Sequence, residues 1–321
     1  MDQMLYLLAR AGIALIQSLP LTFVARLGRC IGALAFMVDR DHRRVALANL
    51  KMCFGDKKSA AEIRALAREN FRRIGENFGC AIKTMAMSAE QLRPHIEWVV
   101  PPELRDLSRD PNPHSVVFAI GHFGNFELYA RFGSFVSGFQ CVTTYRGLRQ
   151  PILNELVQTL RVSTGCKFFE RRFEASQLKA AMNQPGILLG LFADQHAGKN
   201  GLRLPFLGHT CSTSAAPALF ALRYDCPLYT GFCFRVGPGR WRLEAGERIE
   251  TRENGCARST ADIMREVNRA FEQAVHRDPA NWFWVHKRWK QIRQLTRTTG
   301  DVLEEAALTT SQAPTQHQSR E

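Results

Sequence analysis

Hydrophobic and polar positions divide the chain into regions with different patterns. From Leu5 to Val38 almost every residue is apolar, and within that stretch only three arginines carry charge. Between residues 59 and 82 apolar residues recur at helical spacing, and from residue 115 continuous apolar runs alternate with helical segments. From residue 298 to the end the chain is polar, which predicts a disordered tail.

The apolar N-terminal segment allows three interpretations. Its longest uncharged stretch, Ala11 to Ala25, is shorter than the ~20 residues that a straight span needs, and Pro20 interrupts it. It is therefore a tilted span with arginines snorkelling at its ends, a helical hairpin lying in the interface, or a buried helix pair of a soluble protein. Because the basic cluster at residues 39–44 follows directly, we predict a membrane anchor over residues 1–40 with the remaining chain in the cytoplasm.

The remaining chain is predicted to be an α/β domain over residues 41–297. A helix covers Val45 to Phe54, and Ser59 with Glu62 forms a capping box that opens a second helix. Continuous apolar strands separated by helices predict a mixed sheet flanked by helices on both sides. The predicted strands are 115–120, 140–145, 186–192, 227–236 and 240–243, and the later helices are 152–162, 214–223 and 261–275.

The net charge and the cysteine pattern limit which binding partners and which kinds of site the chain is expected to have. The 43 Lys and Arg residues exceed the 30 Asp and Glu residues, which leaves a net charge of +13 and favours anionic partners. No nucleic-acid-binding module is recognisable, so we expect an anionic membrane surface or an acidic protein. The nine cysteines are scattered without a C-x-x-C pair, which predicts reduced thiols packed as small hydrophobic residues rather than disulfides or a metal site.

The segment Gly121-His-Phe-Gly-Asn-Phe-Glu127 carries the candidate chemistry. It follows the apolar strand 115–120 directly, and ligands collect at the carboxyl ends of strands in α/β proteins. Its spacing allows the carboxylate of Glu127 to orient the imidazole of His122, which would then accept a proton from a substrate hydroxyl. Since no G-x-S-x-G motif appears, direct transfer fits better than an acyl-enzyme.

Five segments in order resemble the bacterial lipid A biosynthesis acyltransferases, and the match spans roughly residues 5 to 290. The segment containing His122 and Glu127 is similar to the H-x₄-[DE] block of that family. The other four segments are Thr144-Tyr-Arg146 with Asn154, Phe192-Ala-Asp-Gln195, Gly201-Leu-Arg-Leu-Pro-Phe-Leu-Gly208 and Trp284-Val-His-Lys-Arg-Trp-Lys290. The departures from the family pattern are Phe126, Leu207, Lys287 and Trp289, and none of them touches the His–Glu pair.

The resemblance implies a glycerolipid acyltransferase-like fold and a transferase that moves a fatty acyl chain from acyl carrier protein to a hydroxyl of a glycolipid. It implies a site at the cytoplasmic face of the inner membrane, with neither a cofactor nor a catalytic metal. His122 would be the base and Glu127 its partner, while Arg146 would hold an acceptor phosphate or help bind the donor. The predicted substrate-binding residues are Asn125, Arg146, Asn154, Asp194, Gln195, His286 and Arg288.

Several alternatives stay open at this point. The acceptor could be a phosphatidylinositol mannoside or a lysophospholipid, or the chain could be a non-catalytic protein that docks acyl carrier protein or lipid. Arg146 could be a surface arginine, and Asp194 could simply cap the loop after its strand. The segment around His286 to Arg288 could be a solvated charge run.

Overall fold

The structure is a computed structural model that describes residues 2–107, 109–110, 112–136, 138–148 and 150–290. The predicted disordered tail from residue 298 lies outside these residues, and the boundary near residue 40 stays a prediction. The α-helices of the described part are α1 (Asp2–Ser18), α2 (Leu21–Val38), α3 (Arg40–Phe54), α4 (Ala60–Met85), α5 (Ala89–Leu92), α6 (Pro102–Leu107), α7 (Pro151–Val162), α8 (Ala175–Ala181), α9 (Ala216–Arg223) and α10 (Thr260–Arg277). Three 3₁₀ segments cover Arg93–His95, Phe126–Ser134 and Pro279–Asn281.

Seven of the described strands form one mixed sheet, in the order β1-β9-β8-β2-β5-β3-β4. The pair β8–β9 is antiparallel and the other neighbours are parallel. The strands are β1 (Ile96–Val99), β2 (Val116–Ile120), β3 (Gln140–Tyr145), β4 (Lys167–Glu170), β5 (Ile187–Phe192), β6 (Leu202–Phe206), β7 (His209–Thr213), β8 (Leu228–Gly237), β9 (Arg240–Ala245), β10 (Arg252–Glu253) and β11 (Cys256–Ala257). The predicted mixed α/β fold with an apolar N-terminal helix is therefore confirmed.

The five predicted strands correspond to β2, β3, β5, β8 and β9, while β1, β4, the β6–β7 hairpin and the two-residue strands β10 and β11 were not predicted. The two missed sheet strands are four residues long and only partly buried, so neither has a long apolar run. In the hairpin, Pro205 interrupts the pattern of β6, and the strand alternates between buried and exposed positions. Short strands of this kind take their conformation from the neighbour they pair with rather than from their own composition.

The pairing of β2 with β5 decides the position of the site. The two strands are parallel neighbours, and Ile120 at the end of β2 is opposite Phe192 at the end of β5. All five residues of β2 are buried, because helices cover both faces of the sheet. The chain leaves both strands at the same edge, so the residues that follow Ile120 and Phe192 enter one space.

Helix α2 packs closely along α4, and glycines make the close approach possible. A methyl group on Gly32 would lie 2.1 Å from the carbonyl oxygen of Phe71, and one on Gly28 would lie 2.6 Å from that of Gly75. The buried face of α2 also includes Val24 and Phe36. Its opposite face exposes large apolar side chains, namely Phe23, Leu27, Ile31, Leu34, Met37 and Val38. By length and composition α2 could cross a membrane.

A buried carboxylate ties α2 and α4 to the sheet. Glu76 on α4 is fully buried, and its Oε2 accepts from Arg235 Nε on β8 (2.7 Å) and from Arg29 on α2 (3.4 Å). The backbone N–H of Gly239 donates to Glu76 Oε1 at 3.3 Å. Arg29 also pairs with Glu69 at 2.9 Å, and these contacts hold the pKa of Glu69 below its ordinary value although burial acts in the opposite direction. Since a buried charge is costly unless it is paired, removing one partner would loosen this junction.

The helix contact yields a stability prediction. Gly32→Ala should lower the melting temperature in detergent by roughly 2 to 8 °C, because the added methyl group overlaps the backbone of α4. Gly12→Ala on α1 is the matched control, since nothing lies within 4 Å of the added methyl group there. The control should leave the melting temperature unchanged or raise it, because alanine favours helix more than glycine does. Equal behaviour of the two variants in thermal unfolding would contradict the packing argument.

Candidate active site

His122 and Asp194 form a hydrogen-bonded pair where β2 and β5 end. The two residues occupy equivalent positions, since Ile120 and Phe192 are opposite each other in the sheet. His122 Nδ1 lies 2.8 Å from Asp194 Oδ1, and the backbone N–H of His122 donates to Asp194 Oδ2 at 2.8 Å. Because an ionised carboxylate only accepts, the imidazole carries its proton on Nδ1, and Nε2 is left to accept a proton.

Asp194 is fully buried yet remains ionised. Burial alone would raise the pKa of Asp194, but the charge and hydrogen bonds of His122 and the indole N–H of Trp282 (2.9 Å) outweigh it. The pKa therefore lies below its ordinary value, and the carboxylate persists throughout the neutral range. Phe192 lies against the imidazole at a ring-centroid distance of 4.3 Å, and Phe126 contacts it edge-on at 4.8 Å.

Glu127, the expected partner of His122, is paired with another residue. Its Oε1 accepts from Arg161 Nη2 at 2.7 Å and its Oε2 from Arg161 Nε at 3.3 Å, which is a bidentate ion pair. Arg161 comes from α7 and also lies over the ring of Phe168 at 4.7 Å. Among the residues that the structure describes, Asp194 is the hydrogen-bond partner of the His122 side chain. The direct His122–Glu127 hydrogen bond is thus corrected to two separate pairs, because the 3₁₀ segment after β2 turns Glu127 towards α7.

Both pairs reach one cleft with a volume of about 300 Å³. Its wall includes His122, Asn125, Glu127, Arg146 and Asn154, so the structure brings together five of the predicted residues. Arg146 follows β3 and is exposed at this wall. The side-chain carbonyl of Asn154 accepts from the backbone N–H of Leu148 at 3.1 Å, which holds the loop that carries Arg146.

A second, narrower cavity of about 80 Å³ lies between the sheet and the 3₁₀ segment Phe126–Ser134. It shares Phe126 and Glu127 with the cleft and is almost entirely apolar. Trp98, Phe132 and Cys141 line it further along. Burial raises the pKa of the Cys141 thiol to about 12, so that cysteine behaves as a small apolar residue.

The remaining three predicted residues are absent from the part of the cleft wall that the structure describes. Gln195 presents its backbone carbonyl to Arg288 Nη1 at 2.6 Å. Arg288 is fully buried and also donates to the carbonyl of Ser212 at 2.6 Å, so it joins the loop after β5 to β7. The Nε2 of His286 accepts from the backbone N–H of His196 at 3.1 Å, and burial lowers the pKa of His286 to about 4. This geometry supports a structural role in holding the loop that carries Asp194.

Two residues of the site had no role assigned from the sequence. Arg161 sits in a correctly predicted helix, but its partner is set by how α7 packs on the segment after β2. The indole N–H of Trp282 donates to Asp194. The backbone of Trp282 also forms an isolated antiparallel β-bridge with Phe123, the residue after His122. The cluster of tryptophans before residue 290 could have indicated a role for Trp282 in the site. A pattern of tryptophans does not, however, identify the carboxylate that one of them contacts.

Comparison with known proteins identifies the family of the chain. The family model for bacterial lipid A biosynthesis acyltransferases matches residues 2–291. The chain belongs to that family. It is similar to the lipid A biosynthesis palmitoleoyltransferase of Escherichia coli (strain K12), with 26% identity over 293 residues that cover 88% of both chains. The similarity to the lipid A biosynthesis acyltransferase of Shigella flexneri has the same extent. The protein is therefore an acyltransferase of lipid A biosynthesis, as the ordered sequence blocks predicted.

The hydrogen bonds in this lipid A biosynthesis acyltransferase predict a spectroscopic difference between two variants. In wild type, the Nδ1 proton of His122 is held by a buried carboxylate and should give a slowly exchanging imidazole signal in proton NMR. Asp194→Asn should abolish or strongly shift that signal, whereas Glu127→Gln should retain it. The reverse pattern would show that Glu127 is the imidazole partner in solution.

Proposed function

We propose that the enzyme transfers a fatty acyl chain from an acyl carrier protein thioester to a hydroxyl of a lipid A precursor. The observation that carries the proposal is the His122–Asp194 pair, which leaves the imidazole Nε2 as a base in a cleft that shares Phe126 and Glu127 with an apolar cavity. Family membership supports the acyl transfer and the glycolipid acceptor.

In the proposed reaction, Nε2 of His122 accepts the proton of the acceptor hydroxyl as its oxygen attacks the thioester carbon. The new C–O bond forms, and the tetrahedral intermediate collapses with cleavage of the C–S bond. The imidazolium then returns the proton to the departing thiolate sulfur. The Asp194 carboxylate stabilises the imidazolium between these steps, and general base help of this kind is typically worth ~10²–10⁴ in rate. No covalent acyl-enzyme is required.

The narrow apolar cavity is the proposed site of the acyl chain. It begins at Phe126 and Glu127, beside His122, and continues along the sheet towards Trp98 and Phe132. Burying each methylene there contributes ~0.8 kcal/mol, so chain length should influence binding strongly. Widening of the cavity on binding would be needed, since its volume of about 80 Å³ is small for a fatty chain.

The ion pair of Glu127 with Arg161 is proposed to position both the cleft and the cavity entrance. Its two hydrogen bonds join the segment after β2 to α7 and would hold in place Glu127, one of the residues that the two spaces share. Arg146 is exposed at the same wall and would bind an anionic group of either substrate. The net charge of +13 favours an acidic donor such as acyl carrier protein.

The activity prediction compares variants in one assay with acyl carrier protein thioester and lipid A precursor. His122→Gln should lower kcat by about 10²- to 10⁴-fold, because the proton acceptor is lost. Asp194→Asn should also lower kcat by up to about 10⁴-fold, because the imidazole loses its orientation. His114→Gln is the matched control, since His114 is exposed and remote from the cleft wall.

Full activity of either His122→Gln or Asp194→Asn, with the product identified by mass spectrometry, would contradict the proposed mechanism. If wild type acts on a lysophospholipid but not on lipid A precursor, the proposed role of His122 stands and the proposed acceptor is wrong. Thermal unfolding of each variant separates loss of chemistry from loss of fold.

We further propose that the protein lies on the cytoplasmic leaflet of the inner membrane with α2 in the plane of the interface. Helix α2 has 18 residues and a length of about 27 Å, which is at the short end of the helices that cross a ~30 Å hydrocarbon core. Spanning would also draw Arg29 and its α4 partners Glu69 and Glu76 into lipid. An in-plane position instead buries the exposed apolar face and leaves these ion pairs outside the hydrocarbon. Exposed Arg26 and Arg40 beside that face would contact anionic headgroups, each worth ~1 kcal/mol.

The in-plane arrangement predicts two measurements. The double variant Leu27→Glu with Ile31→Glu should shift the protein from anionic vesicles to the soluble fraction, because it places charge on the apolar face of α2. Leu219→Glu on α9, where the leucine is also exposed, should leave vesicle binding unchanged. A protease cleavage site placed at the N-terminus should stay uncut when the protease is added outside intact spheroplasts. Cleavage of that site would show that the N-terminus lies on the outer side of the membrane and that the segment spans it.

A further inference from the structure

Four asparagines on the wall of the cleft share an unusual property. Each has a buried side-chain carbonyl oxygen without a hydrogen-bond partner in the part of the chain that the structure describes. The amide nitrogen of one of them, Asn125, also lacks a partner. The four residues are Asn70, Asn77, Asn125 and Asn281. Buried polar side-chain atoms are satisfied in the large majority of cases, so four such oxygens around one cleft call for a ligand.

The neighbouring contacts explain why the oxygens stay unused. Asn70 Nδ2 donates to the carbonyls of Ala280 (2.9 Å) and Trp282 (2.6 Å), which holds the segment that carries Asn281. Asn281 Nδ2 donates to the carbonyl of Cys233 at 2.8 Å. In both residues the donor end is therefore fixed by the backbone, and the acceptor end is left over.

The cluster lies beside the catalytic histidine. The backbone N–H of Gly124 donates to the carbonyl of Asn281 at 3.0 Å, and a methyl group on Gly124 would lie 3.3 Å from Asn281 Oδ1. Asn125 is the next residue and is 1% exposed. A ligand that contacts these oxygens would consequently have a neighbouring group within reach of His122.

The chemistry of the cluster selects the ligand class. Amide carbonyl oxygens only accept, so they suit a ligand that presents several O–H or N–H groups. A divalent cation fits poorly, because Glu127, the one carboxylate among the described residues of this wall, is already paired with Arg161. Among the described residues, no group of three or more His, Cys, Asp or Glu side chains could hold a metal ion.

We propose that the four asparagines form the subsite for the hydroxyl-bearing part of the glycolipid acceptor. This inference rests on the proposed function and adds how the acceptor is recognised. Hydroxyl groups of the acceptor donate to the amide oxygens, and this fixes the reacting hydroxyl at Nε2 of His122.

Asn77 and Asn125 permit a sharp test. No hydrogen bond from either side chain to the protein is present among the described residues, so leucine at either position removes the polar atoms without breaking a contact of the fold. Steady-state rates are measured for wild type, Asn77→Leu, Asn125→Leu and the double variant. Lipid A precursor is varied at saturating acyl carrier protein thioester, and then the thioester is varied at saturating acceptor. Asn268→Leu is the control matched to Asn125→Leu, because Asn268 is as buried as Asn125 and also has a partnerless oxygen but is not among the residues of the cleft wall.

The proposal expects KM for the acceptor to rise about 3- to 10-fold in each single variant and more in the double variant, as for loss of one neutral hydrogen bond. KM for the thioester should change much less, and the melting temperature should not fall. Asn268→Leu should show the opposite pattern, with a lower melting temperature and an unchanged KM, because its Nδ2 donates to the carbonyl of Pro205 at 2.8 Å.

Three outcomes would overturn the inference. An unchanged acceptor KM would show that the asparagine oxygens bind water permanently and do not contact the acceptor. A fall in kcat with unchanged acceptor KM would assign Asn125 to the transition state instead. A lower melting temperature in Asn77→Leu or Asn125→Leu would reveal structural partners. If wild type transfers no acyl chain to lipid A precursor, the proposed function itself fails, which is distinct from a failure of the subsite alone.

Discussion

The buried carboxylate of Asp194 is the interaction on which the catalytic end of this molecule depends. It accepts from the imidazole and backbone of His122 and from the indole of Trp282, which come from distant parts of the chain. A charge without water is tolerated only where such donors replace hydration. The same three contacts fix the loop after β2, the loop after β5 and the segment after α10. The imidazole of His122 is therefore oriented by the same contacts that close the fold at this edge of the sheet.

A second buried carboxylate, that of Glu76, joins the N-terminal helices to the rest of the chain. It forms ion pairs with Arg235 of the sheet and with Arg29 of α2. Glycines allow the backbones of α2 and α4 to approach each other closely. The apolar face of α2 that remains exposed is therefore held in a fixed position relative to the sheet. In the proposed in-plane arrangement, this junction would also fix the distance between the membrane surface and the cleft, which suits an acceptor that is itself a lipid.

The cleft combines several kinds of recognition in a small space. The apolar cavity behind Phe126 suits a hydrocarbon chain, and the asparagine cluster suits hydroxyl groups. Between them lies His122, with the Glu127–Arg161 pair at the boundary. Because the two spaces share Phe126 and Glu127, a change in one wall affects both substrates. In the proposed mechanism the two carboxylates therefore have different roles, since Asp194 orients the imidazole of His122 and Glu127 holds the boundary between the two spaces.

The amino-acid sequence by itself determined the elements with long, strong patterns. The buried strands β2, β3 and β5, the capping box at Ser59, the apolar face of α2 and the position of His122 after a strand all follow from local composition. The ordered blocks identified the family, and the Phe-Ala-Asp-Gln block marked Asp194 without its role. Which carboxylate meets the imidazole was decided by the tertiary structure. Glu127 is close to His122 along the chain but turns away in a 3₁₀ segment, whereas Asp194 arrives from 72 residues further on because β5 pairs beside β2. Strand order and register are properties of the whole sheet, and no local pattern encodes them.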